Sequence, residues 1–317
     1  MTESVLRVGT LRVDTLRIGT RRSALAIWQA EHVAARLRSA QPGLRVELVP
    51  FVTEGDRTLD RALPEIGGKG VFTVEIEAAL RDGRVDLAVH SLKDLPTEPP
   101  EGILIGAIPG RADPSDAWVC PAGLGPLDLP PGATVGTSST RRAAHLLRLR
   151  PDVRIRSIRG NVGSRIDKVR GGEYDATVLA CAGLDRLGRR EVATEVLAPS
   201  IMLPAPGQGA LGIQIRQGDR AVGDLVALLD DEGARACVEA ERHFLAALGG
   251  GCSAPVGALA TLHDGRLTLH GRVLSLDGVD AVDVLRSEPF GAEAAWRLGE
   301  AAAQEARAQG AMDLLPP

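Results

Sequence analysis

One order of elements occurs twice in this chain, and the duplication restricts the fold more than any other feature of the sequence. The first copy, LRIGTRRSALAIWQAEHVAARLRSAQPGLRVELV, reads as a short strand, a Gly-Thr turn, a helix and a strand after Pro42, the helix carrying Leu25, Trp28, His32 and Val33 at helical spacing. The second, ATVGTSSTRRAAHLLRLRPDVRIRSI, repeats the order with Gly136-Thr137, a Ser/Thr/Arg turn, a helix and a strand after Pro151. A further match follows in each half. Arg81-Asp82-Gly83-Arg84-Val85-Asp86-Leu87-Ala88-Val89 aligns without gaps with Arg170-Gly171-Gly172-Glu173-Tyr174-Asp175-Ala176-Thr177-Val178, each reading as a helix end, a glycine turn and a buried strand. Helices and strands alternating in this way predict two similar α/β lobes.

Pro- and Gly-rich stretches mark where the chain changes lobe. DLPTEPPEG (94–102) and IPGRADPSD (108–116) read as the exit from the first lobe, and LAPSIMLPAPGQGALGI (197–213) as the return. GDRTLDRALPEIGGKG (55–70), rich in glycine and without apolar periodicity, reads as an inserted loop. Beyond it all, ARACVEAERHFLAAL reads as a helix, followed by Gly249-Gly250-Gly251-Cys252, the strands VGALATL and RLTLHGRVLSL, and an Ala-rich final helix. The predicted division is 1–110 with 206–228 for a discontinuous first lobe, 111–205 for the second, and 229–317 for a small α+β C-terminal domain.

Composition excludes several classes of function. A formal net charge of -4 with 3% aromatic residues provides neither the basic footprint nor the stacking rings of a nucleic-acid binder. No run approaches the ~18 consecutive apolar residues of a membrane span, and MTESVLRVGT has no apolar signal core, so a cytoplasmic protein is expected. Cys120, Cys181, Cys237 and Cys252 form no C-x-x-C pair, so neither a metal knuckle nor a redox motif is expected. Of the 37 basic residues only Lys69, Lys93 and Lys168 are lysine. The rest are planar guanidinium forks that can grip carboxylates through two bonds.

Those forks gather at turns. Arg21, Arg22 and Ser23 occupy the first Gly-Thr turn, and Ser138, Ser139, Thr140, Arg141 and Arg142 the second. A strand feeding a helix through such a turn presents free N–H groups and a positive dipole end to an anion. IRSIRGNVGSRIDKV adds Arg156, Arg159 and Arg165 around a third glycine turn. No G-x-x-x-x-G-K-[ST] loop is present, so an anion with several carboxylates fits better than a nucleotide. In VDLAVHSLKDLP (85–96), His90, Ser91, Lys93 and Asp94 follow a short apolar strand, where ligands bind in open α/β sheets. On the residues alone Asp94 reads either as a carboxylate that steadies a cation or shuttles a proton, or as a helix cap or surface ion pair. Asp113 and Asp116, in the second Pro-rich boundary, read as turn residues. Cys120, Cys181 and Cys237 sit in apolar segments and read as buried, whereas Cys252 follows three glycines on a loop, where a thiol can become nucleophilic.

Together, RIGTRRSALAIWQ, GGKGVF, DLAVHSLKDLPT, VGTSSTRR, RSIRGNVGSR, GEYDA…AGLDRLG, LPAPGQGALGI and GGCSAPVG strongly resemble the hydroxymethylbilane synthase (porphobilinogen deaminase) family in order and spacing, from about residue 16 to 260. The resemblance implies two lobes of the type 2 periplasmic-binding-protein plan and a third domain bearing a dipyrromethane cofactor, bound through a thioether to the residue matching Cys252. It implies that porphobilinogen is tetrapolymerised with release of ammonia by a monomer that needs no metal, nucleic acid or membrane. By the same likeness Asp94 is the catalytic carboxylate. Ser91, Lys93, Thr137, Ser139, Arg141, Arg142 and Gln208 join Cys252 as cofactor-binding residues. Arg21, Ser23, Gln29, Arg159, Arg165 and Arg186 are substrate-binding, with Lys69 and Phe72 on a mobile covering loop. LRVGT (6–10) echoes LRIGT (16–20), so roughly ten residues precede the usual start of the family.

Overall fold

The computed structural model describes residues 15–57, 73–251 and 254–316. β1 (Thr15–Arg21) leads into α1 (Ala24–Ala40) and β2 (Arg45–Phe51); a four-residue α2 (Glu54–Arg57), α3 (Val74–Arg81), β3 (Leu87–Ser91) and β4 (Ile103–Ala107) follow. The predicted loop at 55–70 is thus helical at its first residues, and most of it lies outside the described residues, as does the LRVGT echo. The second group comprises β5 (Asp116–Val119), β6 (Thr134–Gly136), α4 (Thr140–Leu149), β7 (Arg154–Arg156), α5 (Val162–Arg170), β8 (Ala176–Ala180), α6 (Cys181–Arg186) and β9 (Glu195–Leu197). β10 (Leu211–Arg216) and α7 (Arg220–Ala227) come next.

The duplication is real in three dimensions. One sheet runs β2-β1-β3-β10-β4 and the other β7-β6-β8-β5-β9. In both, the first three strands are parallel and the fourth is antiparallel to its neighbours. The registers correspond: Gly19 lies beside Ala88 in one sheet and Gly136 beside Thr177 in the other. A Cβ on Gly19 would meet Ile76 at 2.9 Å, and one on Gly136 would meet Tyr174 at 2.9 Å, so each Gly-Thr turn needs glycine where the strand passes under the following elements. The sheets exchange their antiparallel strands, β10 belonging to the first and β5 to the second. The segments that cross between them run side by side, with Ala112 N donating to Gly209 O.

Local chemistry starts the helices. Ser23, Ser139, Asn161 and Asp219 accept backbone N–H bonds at the N-termini of α1, α4, α5 and α7. α1 buries Ala26, Gln29, Ala30, Val33, Ala34 and Leu37 against Leu16, Ile18, Leu87 and Val89. Its Trp28 and His32 face outward, their rings stacked at 5.0 Å.

The C-terminal unit is α8 (Glu232–Ala247), β11 (Val256–His263), β12 (Arg266–Leu274), β13 (Ala281–Pro289) and α9 (Ala294–Ala308). β13 was not among the expected strands, although Val282 and Val284 alternate inward as an edge strand requires. Its antiparallel sheet β11-β12-β13 packs on both helices around Phe244, whose ring lies where a Cβ on Gly271 would stand. Glu241 of α8, fully buried, ties this unit to the crossing segments. It accepts from Arg111 Nη1 and Nη2 at 2.7 and 3.0 Å, from Gly207 N at 2.7 Å and from Ala260 N at 2.8 Å.

Candidate functional site

The carboxyl ends of β1 and β3 form one wall of the site, and within this wall lies a narrow pocket of about 50 Å³ whose lining includes Arg21, Ser23, Gln29, His90, Ser91 and Asp94. Gln29 donates to the Ser91 hydroxyl at 2.8 Å, so α1 and β3 set each other's polar groups. β3 runs on through His90 and Ser91, which buries His90; burial, then the nearby Arg21 cation, hold its imidazole down at about 4 and therefore neutral at neutral pH. Lys93 and Asp94 occupy a single 3-10 turn, Leu92–Asp94, closed by Leu95 N donating to Leu92 O.

The second wall is organised by a residue that the sequence reading placed in a turn. Asp113 does act there, accepting from Ser115 N at 2.9 Å. Asp116 instead opens β5 and is fully buried. Its Oδ2 accepts from Arg141 Nη1 at 2.7 Å, and its Oδ1 from Arg142 Nη2 at 2.6 Å and Nε at 3.0 Å. Burial alone would raise the Asp116 carboxyl, but the two guanidiniums outweigh it and hold the group well below the usual carboxylate range. The arginines also donate inward, Arg141 to Leu203 O and Arg142 to Val178 O. They are thus anchored forks rather than solvated side chains. An acid directly preceding the apolar strand AWV was the available signal, since a strand buried along its length admits a carboxylate only if it is paired.

Gln208, also fully buried, joins the two walls. Its Nε2 donates to Asp116 Oδ1 at 3.0 Å and Pro114 O at 2.7 Å, while its Oε1 accepts from Lys93 Nζ at 3.0 Å. Burial, followed by the neighbouring Arg142, pulls Lys93 down to about 8 against the opposing pull of Asp94 and Asp116. Thr137 Oγ1 accepts from Ser139 N, and Ser139 in turn caps α4. Arg165, held by Gly160 O at 2.9 Å, is lowered to about 10 by burial and then by Arg142 and Arg159, with Asp94 opposing. These groups therefore share one field. Arg186, lowered to about 10 by burial, donates to Gly209 O at 2.6 Å and lies 5.9 Å from the Trp28 ring, reaching from the second lobe to the first.

Cys252, Lys69 and Phe72 lie outside the described residues. Cys120, Cys181 and Cys237 are buried, as expected, and burial pushes Cys181 up to about 12 and Cys237 to about 11, which keeps both protonated. Among the described residues there is no cluster of metal-ligating side chains and no helix long and apolar enough to cross a membrane. The arrangement can hold a ligand bearing several carboxylates against arginine and lysine while keeping Asp94 beside it.

Residues 16–224 match the family model described as porphobilinogen deaminase, dipyromethane cofactor binding domain, and residues 235–308 match porphobilinogen deaminase, C-terminal domain. The porphobilinogen deaminase of Roseiflexus castenholzii is 53% identical over 259 residues, covering 82% of this chain and 86% of that protein. That of Maridesulfovibrio salexigens is 46% identical over 296 residues, covering 93% and 96%. Among solved structures, the methionine binding protein MetQ aligns at 14% identity and a TM-score of 0.44, over 70% of this chain and 92% of that one. The likeness is faint, and the lobed architecture rests on the two sheets themselves.

Proposed function

This chain belongs to the porphobilinogen deaminase family, and on that premise we propose that the cleft between its lobes is the active site, with Asp94 as the catalytic carboxylate and Cys252 as the cofactor tether. The chain is a transferase of porphyrin biosynthesis that tetrapolymerises porphobilinogen into linear hydroxymethylbilane with release of ammonia, using a dipyrromethane cofactor. The donor set fits that group. Each pyrrole bears an acetate and a propionate; Lys93, Ser91, Thr137 and Ser139 would hold it, with Arg141, Arg142 and Gln208, themselves anchored on Asp116, supplying positive field and fixing Lys93. When bound, the cofactor supplies the free pyrrole α-carbon on which the chain is built.

The remaining steps belong to the protein. Arg21, Ser23, Gln29, Arg159, Arg165 and Arg186 orient the incoming porphobilinogen through its carboxylates, each fork fixing a plane as well as a charge. Lys69 and Phe72 belong to the segment assigned to cover the cleft. As ammonia leaves the aminomethyl group, positive charge spreads onto the pyrrole nitrogen. The Asp94 carboxylate beside that nitrogen stabilises the charge where it develops, and any proton it hands to the departing amine is one it has first taken from the pyrrole N–H. Gly249, at a φ of 69°, ends α8 and starts the glycine run that carries Cys252. On the same reading the chain is a cytoplasmic monomer.

The observation that carries this reading is the bonded chain from Lys93 through Gln208 and Asp116 to Arg141 and Arg142, which sets the turn of Asp94 against the arginines. Intact-mass spectrometry tests the tether. The purified protein should exceed its sequence mass by one dipyrromethane and colour with Ehrlich's reagent, and Cys252→Ser should do neither. Asp94→Asn should fold and load the cofactor yet release almost no ammonia. An active protein of bare sequence mass would overturn the tether, and wild-type turnover in Asp94→Asn the carboxylate.

A further inference from the structure

The turn that carries Lys93 and Asp94 is held from outside its own lobe. Arg242, in the middle of α8, is buried and points its guanidinium at the backbone of residues 92–97. Nη1 donates to Leu92 O at 3.5 Å and to Leu95 O at 3.2 Å, the two carbonyls that bracket Lys93 and Asp94. Nη2 donates to Pro96 O at 2.5 Å and Thr97 O at 3.2 Å. Leu92 O also accepts from Leu95 N, and the fork adds a second donor there while serving the carbonyls of Leu95, Pro96 and Thr97. Prolines at 96, 99 and 100 lack N–H groups and keep the segment out of a strand ladder. A planar fork matches several carbonyls converging on one side of a turn, where an ammonium would reach fewer.

The same helix face supplies the packing. Val238, one turn before Arg242, is buried in a cluster with Leu92 and Leu95 of the turn and Ile108 and Ala210 of the crossing segments. Leu92 N donates to Ala210 O, so the turn is gripped between the start of β10 and α8. α8 ends at Ala247, and after Leu248 come the glycines leading to Cys252.

We infer that Arg242 is a positioning residue: from the C-terminal unit it fixes the backbone on which Asp94 stands, so that one helix sets both the catalytic turn and the root of the tether loop. The inference rests on the assignment of Asp94 as the catalytic carboxylate. Arg242 itself is kept from the cleft by the turn it holds and acts only through it.

The test compares Arg242→Met, which keeps the stem and removes every donor, with Arg242→Lys and with Asp94→Asn. Intact mass reads cofactor loading, hydrogen exchange reads the amides of 92–97, and steady-state kinetics separates kcat from KM. In Arg242→Met we expect full loading, KM within about twofold, and exchange accelerated at the turn. kcat should be lowered roughly ten- to a hundredfold, the scale of a misplacement near 1 Å; Arg242→Lys should fall between. Unchanged kcat in Arg242→Met, or a lower Tm with full kcat in the folded protein, overturns the inference and leaves Arg242 a packing residue. Should Arg242→Met fail to fold, Arg242→Lys carries the test, and wild-type kcat with wild-type exchange there overturns it equally. Wild-type turnover in Asp94→Asn would refute the assignment of Asp94, and turn exchange in the Arg242 variants then decides alone whether Arg242 holds the backbone.

Discussion

Replacing Asp116 by asparagine keeps the size of the side chain and removes its charge, which isolates what the carboxylate does between its two arginines. In the parent, Oδ2 lies 2.7 Å from Arg141 Nη1 and Oδ1 lies 2.6 Å from Arg142 Nη2, with all three side chains buried. The amide oxygen can still accept from one guanidinium, but the NH2 then faces the other donor to donor. Two cations are left in a site of low dielectric with no compensating anion. Removing one partner of a buried pair costs about 3–5 kcal/mol, and for a chain of this size that lowers Tm by an amount on the order of 10 °C. Thermal and urea unfolding of Asp116→Asn at neutral pH measure the loss. The double variant Asp116→Asn/Arg141→Met removes one orphaned cation as well, so it should be less destabilised than the sum of its parts, by about 0.5–3 kcal/mol. Strictly additive losses, or an Asp116→Asn protein melting with the parent, would refute the claim that this carboxylate organises the arginines.

Two further outcomes follow from the geometry. Lys93, facing Asp94, Asp116, Arg141, Arg142 and Gln208, loses its proton as pH passes through about 8, so its hold on the cofactor carboxylates should weaken there, with slower dipyrromethane loading of the apoprotein read by intact mass, and Lys93→Arg should abolish this limb. Stability runs the other way: the folded pKa lies below the solution value, the unfolded chain binds the extra proton between about 8 and 10.4, and Lys93's contribution to stability increases across that window. Cofactor loading unchanged across pH 7–9 would contradict the assignment. Gly209→Ala should destabilise the crossing segments, because φ is 87° and the new Cβ would stand 2.4 Å from Ala112 O. The left-handed backbone alone costs about 1–2 kcal/mol, so an unaltered Tm would show that these segments are not held together as described.

The duplicated strand–turn–helix units and the glycine turns at Gly83 and Gly172 were read from the chain itself; the caps Ser23, Ser139 and Asn161 were not, although their signal is equally local. Each depends on residues within a few positions of one another: a hydroxyl or amide reaching the third N–H ahead, or a glycine ending a helix. The candidate site was legible for a related reason, since its polar groups crowd turns immediately after short apolar strands. Pairing was not. Asp116 meets arginines 25 and 26 positions away, and Arg242 meets carbonyls 145 to 150 positions away, with nothing local to announce either. The amino-acid order alone determined a doubled α/β plan and a set of arginine-bearing turns. Only the packed molecule decided which guanidiniums are anchored by an internal acid and which helix steadies Asp94. Burial forces every charge and carbonyl to find a partner, and the partner it finds depends on which segments the sheets bring together.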